Sequence, residues 1–330
     1  DKKGLLIEEA RTNSLTQSID LSGYAPSQAI WVTDSTVSPT GIKDADRLYE
    51  TSQPNSYHRL NYAASTSANT LSFYAKKGAV RDWVYTYLYS GSAHVQYAFF
   101  NLSTGQVGTT SGLGGYGMED VGNGWYRCWV YRSTAGYNNG RIGLAEADNV
   151  FTHDGDTSAY VSLWGLQEEI GGSFPTSLIP TYGNSSTRAA DIASVSGTAF
   201  SRFFKDTEGT IVADVQLPRG WKDTDYNRFY SFNDGSGSNT IISALTTSTN
   251  QEPRGQIKTG GVDQGSIVTK YINLNTSEIT RLGQTYKTND HQVFIDGASG
   301  VSSDTTVSLP TGLNKLNIGS TATGGSVLGG

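Results

Sequence analysis

Four aromatic residues occupy every second position in one short run: Trp83, Tyr85, Tyr87 and Tyr89. Side chains alternate faces along a strand, so these four share one face and Val84, Thr86 and Leu88 share the other. Same-face neighbours stand about 6.6–6.8 Å apart, a spacing at which aromatic rings form a flat platform. Sugars present a face of C–H groups that stacks on Trp and Tyr. The phenol hydroxyls and the indole N–H can then bond sugar hydroxyls. Two readings are open: the aromatic face is the core face, or Val84, Thr86 and Leu88 face the core and the aromatics face solvent.

A second alternating run is Trp125-Tyr126-Arg127-Cys128-Trp129-Val130-Tyr131. Its pattern predicts Tyr126, Cys128 and Val130 inward, with Arg127, Trp129 and Tyr131 outward. Arg, Trp and Tyr are enriched at recognition surfaces. The candidate glycan-binding residues are therefore Trp83, Tyr85 and Tyr87 as the stacking surface, with Arg127 and Trp129 extending it.

Catalytic constellations are thin. The histidines at 58, 94, 153 and 291 are scattered, with no pair at zinc-ligand spacing. There is no Gly-x-Ser-x-Gly elbow and no phosphate-binding glycine loop. His153-Asp154-Gly155-Asp156-Thr157 reads as a polar turn. A calcium ion held by its carboxylates and carbonyls is compatible with a β-sandwich, although the rest of an EF-hand loop is missing. Glu168 and Glu169 are adjacent and would point to opposite faces, so they make no ready pair for glycoside hydrolysis. No cofactor is expected, and no enzymatic activity.

The elements that must position these residues are short strands. Of the 330 residues, 39 are Gly and 11% are aromatic, while only 16% are charged. An average globular chain is about 25% charged, and long helical bundles need more Glu and Lys than this chain has. Alternating segments between Gly- and Asn-rich turns predict strands near 70–76, 82–89, 94–101, 125–133 and 159–167. A second set is predicted near 209–217, 227–233, 240–245, 266–272, 279–286 and 292–296. Short helical turns are predicted at 189–195 and 200–205. The fold class is all-β, two β-sandwich (jelly-roll) domains in tandem over 1–186 and 187–330, with Pro180–Arg188 as the linker. A net charge of −6 without basic runs argues against nucleic acid and anionic membranes. No apolar run reaches the roughly 20 residues of a membrane span. The single Cys128 can form no internal disulfide. The missing initiator Met and the Gly329-Gly330 ending lead us to expect a fragment whose second domain is truncated.

Several segments together resemble a module of tailed-phage virion proteins. They are Gly4–Asn13, Leu71–Lys76, Gly122–Cys128, Leu163–Glu168, Gly172–Thr181 and Thr187–Asp191. That module is a jelly-roll carbohydrate-binding-like domain. Gly209–Val215 and Val293–Gly297 resemble a concanavalin A/laminin G-like sandwich that often follows it. The resemblance implies a phage tail, fibre or spike protein, made in the host cytoplasm and carried on the virion. Its partners would be a host cell-surface glycan and other tail proteins, with a homo-oligomer favoured by virion symmetry. It assigns Trp125 and Trp164 to the scaffold. Laminarinase-like enzymes with the second fold carry Glu-x-Asp-x-x-Glu, which this chain lacks. The remaining alternatives are a structural virion connector without sugar binding and an accessory module of a polysaccharide depolymerase.

Overall fold

The structure, a computed structural model, describes residues 4–67, 69–90, 94–132, 134, 136–217, 228–245, 252–268, 279–296 and 298–320. It is all-β, with antiparallel strand pairs throughout. Two compact units emerge, one of residues 11–188 and one of residue 189 onward together with the residues up to Ala10.

The first unit contains β1 (Arg11–Asn13), β2 (Ala25–Ser27), β3 (Ala29–Thr36), β4 (Ala45–Glu50), β5 (Arg59–Ala63), β6 (Thr70–Lys77) and β7 (Trp83–Ser90). It continues with β8 (His94–Asn101), β9 (Gln106–Ser111), β10 (Gly115–Gly122), β11 (Trp125–Tyr131), β12 (Asn139–Ala145), β13 (Tyr160–Ile170) and β14 (Ser186–Arg188). Sheet I runs β10-β11-β6-β13-β1-β14, with β4 also on β13 and β3 on β4. Sheet II runs β2-β5-β12-β7-β8-β9.

Between the two sheets lies one apolar core. Leu71, Phe73, Ala75, Cys128, Val130 and Leu163 come from sheet I, and Leu60, Val84, Leu88, Ala98, Phe100 and Ile142 from sheet II. Each Val, Leu, Ile or Phe among them contributes about 1.5–3 kcal/mol on burial. Val84 and Leu88 are thus core residues, and the aromatic side of β7 is the outer face of sheet II.

Strand β13 is buried at nine successive positions, Val161 to Glu169, because both its faces are covered. Inside is the apolar core. Outside, the segment 172–182 straps across sheet I. Gln167 Oε1 accepts the Ile179 N–H at 2.6 Å, Asn13 Nδ2 donates to the Ile179 carbonyl at 2.9 Å, and the Thr181 N–H reaches Ser18 Oγ at 2.7 Å. Trp125 and Trp164 are buried on this outer side, in a cluster with Ala45 that Leu178 of the strap packs against. The stretch read as a linker is therefore not one. The Gly183 N–H bonds the Thr16 carbonyl, and Ser186–Arg188 pairs with Arg11–Asn13 inside sheet I.

The second unit contains β15 (Ala193–Ser196), α1 (Gly197–Ser201), β16 (Glu208–Val215), β17 (Arg228–Asn233), β18 (Thr240–Leu245) and β19 (Pro253–Thr259). Then follow β20 (Val262–Val268), β21 (Thr280–Lys287), β22 (Asp290–Ile295), β23 (Ala298–Asp304) and β24 (Lys315–Ile318). Sheets β15-β24-β17-β18-β19-β20 and β16-β21-β22-β23 enclose Phe200, Phe232, Ile241, Ile257, Tyr286 and Val307. The helical turn expected over 189–195 is instead strand β15 at its end, held by pairing with β24. Positions 269–272 of the strand expected over 266–272 lie outside the described residues.

Candidate functional site

The outer face of sheet II is built from cross-strand rows. One row reads Asn61, Arg141, Tyr87, Tyr97 and Ser111 across β5, β12, β7, β8 and β9. The next reads Arg59, Gly143, Tyr85 and Phe99. Directly opposite residues stand about 4.5–5.5 Å apart, so their rings touch. Tyr87 and Tyr97 lie nearly parallel, 9° between planes and 6.4 Å between centroids. Tyr89 is 6.0 Å from Tyr87, and the Arg141 guanidinium lies 4.1 Å over Tyr89 and 5.4 Å over Tyr87.

These aromatics divide into a floor and a surface. Tyr85 and Phe99 are fully buried, whereas Trp83, Tyr87, Tyr89 and Tyr97 are half-buried. Phe151, from the loop before β13, covers the floor. Its ring lies 5.0 Å from Tyr85, 4.7 Å from Phe99, 5.4 Å from Tyr87 and 5.1 Å from Tyr97. Burial pushes the Tyr85 phenol up to about 12. The Tyr85 ring lies over Gly143, where an added Cβ would stand 2.5 Å from it. Gly143→Ala should therefore tilt the floor and cost about 1–3 kcal/mol, measurable by thermal unfolding. An unchanged melting temperature would count against this packing.

The candidate residues read from the sequence are not all brought together. Trp83, Tyr85 and Tyr87 share the outer face of sheet II, but the burial of Tyr85 removes it from contact with a ligand. Trp83 lies along Gly108, where a Cβ would come within 2.6 Å of its ring. Arg127 and Trp129 are a correction: they belong to sheet I and are buried at 8% and 6% exposure. They point away from the core as expected, yet Arg127 Nη2 donates to Ser72 Oγ and to the Thr176 carbonyl, beneath the strap. Neither extends the tyrosine face. Tyr97 and Arg141, which do extend it, come from neighbouring strands that sequence reasoning did not align with β7.

A second cluster was also missed. Ligand-type atoms of Glu50, His58 and His153 come within 4.8 Å of one another, and all three side chains are buried. The residues are far apart in sequence and give no local spacing signal. Their arrangement is a hydrogen-bonded node. Glu50 accepts from Arg81 Nε at 2.9 Å, Arg81 Nη2 at 3.0 Å, His153 Nε2 at 2.9 Å and the Asp156 N–H at 2.9 Å. His58 Nδ1 donates to the Gln28 carbonyl at 2.7 Å. Hydrogen bonds from His153 and Arg81 outweigh burial and hold the Glu50 carboxyl at about 2. The carboxylates of the neighbouring turn are engaged too: Asp154 with the Asn55 N–H, and Asp156 with Ser158.

The other buried carboxylates of this unit are also held by internal partners, although Glu168 Oε1 accepts no hydrogen bond among the described residues. Glu168 faces the core, accepting from the Ser65 N–H at 2.8 Å with Arg132 at 3.6 Å, and burial raises it to about 7. Glu169 faces the strap and accepts from Thr176. Asp46 accepts the Leu21 and Asp34 N–H groups at 2.8 and 3.0 Å, and burial raises it to about 6.

No family model matches the chain, and no curated protein matches it at a significant level. Among solved structures, the mouse laminin alpha1 chain, domains LG4-5, aligns over 93% of this chain and 85% of that one. The identity is 10% and the TM-score 0.26.

Proposed function

We propose that residues 11–188 form a non-catalytic glycan-binding module of a phage tail protein, which holds sugar rings of a host surface polysaccharide on the tyrosine face of sheet II. The carrying observation is the outward group of half-buried Tyr87, Tyr89 and Tyr97 over a buried aromatic floor. Their rings offer stacking surfaces, and their hydroxyls can bond sugar hydroxyls. The virion part of the reading rests on the ordered sequence segments that resemble the phage module. Glu50, Glu169 and Asp46 are engaged inside the fold, which favours binding over hydrolysis, since a glycosidase needs two carboxyl groups facing one cleft.

Single contacts of this kind are weak, and display in several copies raises avidity steeply. The test is binding of the multivalently displayed protein to bacterial surface glycans. Each lost ring costs about 0.5–1.5 kcal/mol, so Tyr87→Ala combined with Tyr97→Ala is expected to weaken binding about tenfold or more. Unchanged binding by the folded double variant would remove the tyrosine face from the site.

A further inference from the structure

The tyrosine face carries two positive charges that pair with no carboxylate among the described residues. Arg59 and Arg141 project from adjacent strands of sheet II, on the same side as Tyr87. Arg59 stands opposite Gly143 and Arg141 opposite Asn61, so the two arginines are diagonal neighbours, about 7–8 Å apart. Among the described residues, neither makes an ion pair with a carboxylate, although the chain has 30 acidic residues against 24 basic ones. Both rest on aromatic rings instead, Arg59 at 4.2 Å over Tyr57 and Arg141 at 4.1 Å over Tyr89. Arg59 Nε is buried without a hydrogen-bond partner. Burial lowers the Arg59 pKa, with the neighbouring Arg141 charge acting in the same direction and Tyr85 acting against both.

Two like charges held side by side on a partly desolvated surface favour an anion between or above them. The planar guanidinium fork matches a carboxylate or phosphate through paired N–H donors. Beside the tyrosines, that anion belongs on a sugar ring. We infer that the ligand is an acidic glycan, whose anionic substituent is held by Arg59 and Arg141 while the ring it belongs to stacks on Tyr87 and Tyr97. This inference rests on the glycan-binding reading and adds the charge of the sugar to it.

The test uses an array of bacterial capsular and lipopolysaccharide glycans, each printed in native, carboxyl-reduced and dephosphorylated form. The full chain is displayed multivalently. Binding to native acidic glycans is expected to fall about tenfold in one of the neutralised forms, and which form identifies carboxylate or phosphate as the anion. Arg59→Gln and Arg141→Gln should each weaken binding to the native form about fivefold and leave any residual binding to the neutralised form unchanged. Arg141→Lys, which keeps the charge and loses the fork, should fall between. Raising the salt from 0.05 to 0.5 M should erode the native signal, since screening shortens the range of these charges. Equal binding to native and neutralised glycans, lost only in Tyr87→Ala with Tyr97→Ala, would overturn the acidic ligand and keep the glycan site. No binding by the wild-type chain to any form would overturn both.

Discussion

Replacing Glu50 with alanine is expected to lower the unfolding free energy of residues 11–188 by about 3–5 kcal/mol, the range found when one partner of a buried ion pair is removed. Glu50 ends β4, and its carboxylate is the only common partner of Arg81, His153 and the Asp156 N–H among the described residues. Removing it leaves the nearly buried Arg81 guanidinium and His153 without that partner. The damage extends to the aromatic face, because His153 lies two residues from Phe151, the ring that covers Tyr85 and Phe99. Glu50→Gln keeps the shape and one acceptor, so it should cost clearly less than alanine. The wild type carries the same signature in acid. The folded carboxyl is held at about 2 against an ordinary value of 4.5. Its stabilisation is therefore complete above about pH 4.5 and is lost as the pH falls towards 2, about 3 kcal/mol in all. Urea unfolding followed by tryptophan fluorescence reads both effects. A loss below about 1 kcal/mol for Glu50→Ala would show that the node does not hold the loop.

Between about pH 4.5 and 6.5 the two units are expected to change stability in opposite directions. In the first unit, burial raises Glu168 to about 7 and Asp46 to about 6. A carboxyl raised on folding binds more protons in the native state, so stability falls as the pH rises from the unfolded value towards the folded one. For Glu168 that loss is on the order of 3 kcal/mol. In the second unit the sign reverses at His291. Tyr230 donates to Gln284 Oε1 at 2.8 Å, and Gln284 Nε2 donates to His291 Nε2 at 2.8 Å, which requires a neutral ring. Burial lowers His291 to about 4 from 6.5. Stability of that unit is present above about pH 6.5 and lost as the pH falls towards 4. Native-state hydrogen exchange at Val130 and Leu163 in one unit, and at Ile257 and Val293 in the other, should give opening free energies of opposite slope. Parallel slopes would mean that other groups dominate one of the units.

Much of the framework is legible in the sequence, because a strand declares its faces by alternation. Trp83 to Tyr89 and Trp125 to Tyr131 alternate as the structure requires, and the inward sides of both strands join the core. Alternation does not say what covers an outward face. Alternation puts Arg127 and Trp129 on the surface, yet both are buried, Arg127 through the carbonyl of Thr176 in a strap some 50 residues downstream and Trp129 along Gly117 of β10. Alternation offers Tyr85 as a stacking ring, yet Phe151, 66 residues away, closes over it. The same limit hid Arg59, Tyr97 and Arg141. Each lies in an ordinary alternating strand, and only the register of β5, β12, β7 and β8 sets them in adjacent rows. Glu50, His58 and His153 were invisible for a stricter reason: no local pattern requires them, and their contact follows from how the ends of distant strands converge.

The pairing of β1 with β14 sets Arg11 directly opposite Arg188, so the chain begins and leaves the first unit at neighbouring points. Antiparallel partners of this kind have Cα atoms about 4.5–5.5 Å apart. Residues 11–188 are thus a cassette, closed on itself and carried between Ala10 and Ala189, whose flanking segments belong to the other unit. Such a unit can be lifted out or spliced into a surface loop of an unrelated host without stretching either terminus. The tyrosine face would travel with it.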